Sequence, residues 1–106
     1  MVVTDKVTGS VDGEIKAGSV LSLSGNRLKF DAADEEQGVF LSTEAGEKRC
    51  GTVIENRPAK VVVLVPADLA AGEAEIELRT KLTASQSAEK TLKRVRHGKT
   101  LTVVAG

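Results

Sequence analysis

Few residues in this chain can do chemistry. His97 is its one histidine and Cys50 its one cysteine. Nucleophilic catalysis needs a serine or cysteine within hydrogen-bond reach of a base, and a third group to orient that base. Nothing in the sequence places such partners beside either residue, and a free cysteine is more often a small core residue. Four carboxylates, Asp31, Asp34, Glu35 and Glu36, gather in one polar stretch. Calcium takes roughly six to eight oxygens from a loop of defined spacing. This stretch lacks the EF-hand spacing and its turn glycine, so a solvated loop is expected. The third cluster is basic and holds Lys90, Lys93, Arg94, Arg96, His97 and Lys99. On an extended strand Arg94 and Arg96 share a face. Lys93, Arg94, Arg96 and Lys99 are therefore the candidate contacts for a phosphate or a partner. Phosphate contacts of this kind position a protein without reading sequence. The competing reading is a solvated edge strand, where Lys and Arg deter edge-to-edge pairing. No aromatic residue accompanies the charges, which favours the edge strand. No catalytic group, metal site or cofactor is expected.

The wider composition narrows the class further. A chain of 106 residues with 41% apolar and 28% charged residues has the make-up of one globular domain. Phe30 and Phe40 are its only aromatics. That excludes a stacking platform for sugars or single-stranded nucleic acid, both of which need aromatic faces. The formal net charge is +0, so no global field draws in nucleic acid or an anionic membrane. The imbalance is local: residues 1–53 carry 6 Lys/Arg against 9 Asp/Glu, and residues 54–106 carry 9 against 6. A lone cysteine forms no internal disulfide. No apolar run is long enough to span a bilayer, and the first residues lack the basic-then-apolar pattern of a signal peptide.

The elements that must position these residues read as strands. Residues 56–82 are the most legible stretch. Residues 60–65 form a β-branched apolar run between Pro58 and Pro66, too short for a buried helix. Residues 73–82 alternate Ala74, Ile76, Leu78, Thr80 and Leu82 with Glu73, Glu75, Glu77, Arg79 and Lys81. That is a strand with one face toward water. Leu21 and Leu23 share a face earlier on, but the apolar set then moves to Leu28 and Phe30, a change of parity. A bulge at Gly25-Asn26 accommodates it, as does a tight hairpin there. Val11 and Ile15 fit one face of a first strand. Residues 44–47 read as a hairpin turn joining strands over 38–42 and 48–53. Asn56 reads as a turn residue bonded to nearby backbone. Residues 91–96 and 101–104 close the chain as strands. No segment is an amphipathic helix. The expectation is a single all-β antiparallel sandwich of about seven strands.

These residues resemble a bacterial Ig-like family of unknown function. The resemblance is carried by Val7-Thr8-Gly9-Ser10-Val11-Asp12-Gly13, by Ala17-Gly18 with Leu21-Ser22-Leu23-Ser24-Gly25, and by Gly38-Val39-Phe40-Leu41. It continues in Glu55-Asn56-Arg57-Pro58-Ala59, in Val65-Pro66-Ala67-Asp68-Leu69-Ala70-Ala71-Gly72 and in the closing Leu101-Thr102-Val103-Val104. Most aromatics usual in the family near Phe40 and after Gly72 are missing. The resemblance implies an Ig-like domain, residues 1–106, cut from a longer protein, often C-terminal to an HU-like DNA-binding domain. It implies a non-catalytic accessory module, cytoplasmic or nucleoid-associated, with no membrane contact. Such a module meets a protein partner or a second copy, and leaves nucleic acid to a separate N-terminal domain. The chain is also similar to the TIG-type Ig-like domain, which implies an extracellular spacer or binding module of a surface protein or enzyme.

Overall fold

Alternating apolar residues make strands whose inner rows must meet, and here they meet as two sheets. The computed structural model describes residues 2–7, 9–26, 28–82, 88–97 and 100–104. The first sheet runs in the order β1 (Val2–Asp5), β3 (Val20–Ser24), β7 (Lys60–Leu64) and β6 (Val53–Arg57). The second runs β2 (Glu14–Lys16), β10 (Leu101–Val104), β8 (Gly72–Leu82), β4 (Gly38–Thr43) and β5 (Gly46–Arg49). A further strand, β9 (Ala88–Arg96), pairs with β8. Every pairing is antiparallel except β2 with β10.

The core lies between the sheets. Val3, Leu21, Leu23, Val61 and Val63 face Ile15, Val39, Leu41, Ile76, Leu78, Leu101 and Val103 in one buried cluster. Burying each such side chain contributes roughly 1.5–3 kcal/mol. Leu28 and Phe30 join the cluster from a segment outside any strand. The result is an Ig-like sandwich, as the sequence pattern indicates.

The described strands number ten rather than about seven, and the extra ones have local causes. The first strand breaks at residues 9–13, so β1 pairs in one sheet and β2 in the other. The last strand breaks after Arg96, so β9 and β10 lie along the same edge of β8. β5 adds a short hairpin partner to β4. Several expected groupings separate as a result. Val11 makes only an isolated bridge to Thr4 and is exposed, while Ile15 is buried in β2. β5 ends at Arg49, and the chain then crosses to the first sheet as β6, so residues 48–53 are not one strand. Strands β7 and β8, from the most legible stretch of the sequence, are not neighbours but sit inside opposite sheets.

The parity change after Leu23 is neither a bulge nor a hairpin. At Gly25 the chain leaves β3, and Leu28 and Phe30 reach the core from outside any strand. Asn56 holds Phe30 there: Phe30 N donates to Asn56 Oδ1 at 3.2 Å, and Asn56 Nδ2 donates to Phe30 O at 2.6 Å. Its amide therefore binds backbone 26 residues away rather than nearby turn backbone. Gly18, at φ +80°, allows the tight turn between β2 and β3, a conformation that costs glycine little. Beneath that turn Asp5 is buried and accepts from Val7 N, Lys16 N and Ser19 Oγ at 2.6–2.8 Å. One carboxylate thus ties β1 to the start of the second sheet.

Candidate functional site on the outer face of the second sheet

The basic segment lands on β9, at the edge of the second sheet. Its register with β8 sets Arg96 opposite Glu77, Arg94 opposite Arg79 and Lys93 opposite Thr80. Arg94 and Arg96 do share a face. Lys99, the fourth candidate, lies outside the described residues.

Strand alternation turns Glu77 and Arg79 outward, yet Glu77 is only 8% exposed. Its carboxylate is covered by arginines. Arg96 Nε donates to Oε2 at 2.8 Å and Arg79 Nε donates to Oε1 at 2.7 Å. Arg94 Nη1 stands 3.6 Å from Oε1. Two arginines placed directly opposite each other repel, so Arg79 and Arg94 both turn toward Glu77. Arg79 also pairs with Glu47 of β5. On its way it crosses Phe40, with Cζ 4.1 Å from the ring centroid. That cation–π contact explains why an outward-facing phenylalanine is buried. Burial pushes the Glu77 carboxyl up, but the hydrogen bonds from Arg79 and Arg96 outweigh it and hold the group below its ordinary range. The basic strand is therefore partly compensated in place, with Arg94 and Arg96 exposed.

A cleft of about 100 Å³ opens beside the cluster, lined by Ser42, Glu75, Arg96 and His97 among others. His97 Nε2 lies 3.1 Å from Asp12 Oδ1, with the ring almost fully buried. The imidazole thus closes the sandwich edge against the β1–β2 connection. Cys50 sits in the core cluster instead, and burial pushes its thiol up to about 12. The two residues weighed as a catalytic pair have separate neighbours and no shared site.

The acidic loop is held by side chains of the fold. Gln37 Oε1 accepts from Asp31 N and Lys81 N, and its Nε2 donates to Asp34 Oδ2. Lys81 Nζ pairs with Glu36 at 2.6 Å. Arg49 donates to the carbonyls of Ala32, Asp34 and Gln37. The Asp34 carboxyl is lowered by the Gln37 amide first and then by Glu36 N–H. Among the described residues no three acidic, histidine or cysteine side chains form a metal-holding group. Glu77, Glu47 and Asp5 were invisible as partners in the sequence. Only the pairing of β8 with β9 and β4 brings the first two to the arginines.

The fold and this cluster define an Ig-like sandwich with a partly charge-compensated outer face. Residues 1–95 match the family described as a domain of unknown function (DUF4469) with IG-like fold. The chain belongs to that family. No curated protein matches it. Among solved structures it is similar to a crystal structure from Bacteroides vulgatus, provisionally described as a bacterial DNA binding protein. The TM-score is 0.86 at 24% identity, over 98% of this chain and 46% of that one. The chain thus spans under half the length of that protein. No helix among the described residues is long and apolar enough to cross a membrane.

Proposed function

We propose that this domain is a non-catalytic accessory or interaction module, the C-terminal Ig-like part of a longer HU-like DNA-binding protein. The neighbour of the same fold supports this, because its description names DNA and its chain is about twice as long. The observation on this chain that carries the reading is the carboxylate of Glu77, held between Arg94 and Arg96. Duplex DNA is held by several cations that each meet a phosphate, and here two exposed arginines share a carboxylate on a chain of formal net charge +0. DNA contact then falls to a separate N-terminal domain, and the sandwich offers surface and sheet edge to a protein partner or a second copy. The protein that carries it works in the cytoplasm, at the nucleoid.

The reading frame upstream of Val2 tests this. A basic HU-like segment of roughly 90 residues, an ordinary domain length, is the expected result. A signal peptide followed by further Ig-like repeats would overturn it in favour of the extracellular TIG-type module.

A further inference from the structure

We infer that the free edge of β9 is a docking site for an extended acidic segment of a partner protein, which adds to the second sheet as a strand. The inference deepens the interaction-module reading above and rests on it.

The edge is defined by hydrogen-bond direction. His97 N donates to Ile76 O at 3.0 Å. In an antiparallel ladder the groups of alternate residues point to the same side. Val95 therefore faces β8, and the N–H and C=O of Arg94 and Arg96 point away from the sheet. Among the described residues β9 has β8 as its one neighbour. β2 covers the adjacent lane only beside Thr102–Val104. Among the described residues, the lane next to Arg94 and Arg96 is a sheet edge with two residues of outward donors and acceptors.

Charge says what fits there. Exposed Arg94 and Arg96 stand two residues apart on the outer face. Glu77 is one carboxylate shared among Arg79, Arg94 and Arg96. A second β9 pairing here would set arginine against arginine, so self-association through this edge is disfavoured. A strand with carboxylates at alternate positions meets Arg94 and Arg96 directly. Its intervening residues fall on the inner side, where Val95 packs against the core and remains half-buried. The matching segment alternates acidic with apolar residues. Main-chain bonds give affinity in such strand addition and the alternate side chains give selectivity.

The test is fluorescence anisotropy of this chain with a labelled peptide of alternating glutamate and valine. Saturable binding is expected, weakening with salt. Arg96→Pro removes an outward N–H together with the guanidinium that bonds Glu77, and is expected to weaken binding at least tenfold, whereas Arg96→Ala, which keeps the N–H, is expected to weaken it less. If the proline variant does not fold, the same peptide N-methylated at alternate residues serves on the unaltered protein and should likewise lose binding. Equal affinity for the N-methylated peptide, or no binding of the parent peptide, would overturn the inference. Displacement of the peptide by short duplex DNA at equal charge concentration would also overturn it, in favour of a phosphate site. A negative peptide result leaves the upstream-sequence test of the module's parentage intact, so the two readings fail separately.

Discussion

Arg96 Nε lies 2.8 Å from Glu77 Oε2, straight across the β8–β9 ladder. That contact sets a carboxylate among the arginines of a basic strand. Replacing Glu77 by Gln leaves Arg79, Arg94 and Arg96 without their shared carboxylate. The expected cost is about 1–3 kcal/mol in urea unfolding, the usual range for a lost charged hydrogen-bond partner. The same variant is expected to gain affinity for duplex DNA at low salt, because Arg94 and Arg96 lose their shared carboxylate while Arg79 stays with Glu47.

Acid sensitivity follows from the same pair. Burial would raise the Glu77 carboxyl, but hydrogen bonds from Arg79 and Arg96 hold it below its ordinary value of 4.5. A group depressed in the folded state adds stability that is complete above the ordinary value. That stability is lost as pH falls through the lower folded value. Urea midpoints measured from neutral pH downward should drop at the acid end, and the drop should be smaller in Glu77→Gln.

Asp5 is the most heavily used buried carboxylate in the first sheet. Asp5→Ala strands Lys16 N and Ser19 Oγ, both bonded to Oδ2. Leaving buried donors unmatched costs about 1–3 kcal/mol each. Thermal unfolding should show the loss, with Asp5→Asn milder because one carbonyl oxygen remains.

Cys50 should resist modification. Its thiol is pushed up to about 12 by burial, and the thiolate is the reactive form. Labelling by a thiol reagent at neutral pH is expected only through unfolding, so its rate should rise steeply with urea. Rapid labelling of the native protein would contradict the core placement.

Gly38 makes room for the residue that orders the acidic loop. Its φ is +136°, and a Cβ there would stand 3.1 Å from Arg49 Nε. Gly38→Ala is expected to cost about 1–3 kcal/mol as backbone strain, and to disturb Arg49, which holds the carbonyls of residues 32, 34 and 37. Thermal unfolding, with proteolysis at residues 31–37, reads both effects.

Local patterning made the sandwich legible. The alternation in residues 73–82 and the β-branched run at 60–65 each depend on neighbours in sequence, and both are strands. The hairpin turn at 44–47 was readable for the same reason. What sequence hid was non-local. Asn56 looked like turn chemistry because its partner, Phe30, lies 26 residues away. Glu77 looked like a solvated glutamate because the arginines that cover it come from another strand. The switch of β1 and β2 between sheets follows from a break at residues 9–13 that strand periodicity does not mark. For the candidate site, the shared face of Arg94 and Arg96 was legible, while the carboxylate they share was not.

On the proposed reading, DNA contact lies outside the basic strand. Titration of this chain with duplex DNA at low salt measures it directly. Weak binding, unchanged by Arg94→Ala with Arg96→Ala, is the predicted result. Tight, salt-sensitive binding lost in that double variant would contradict it.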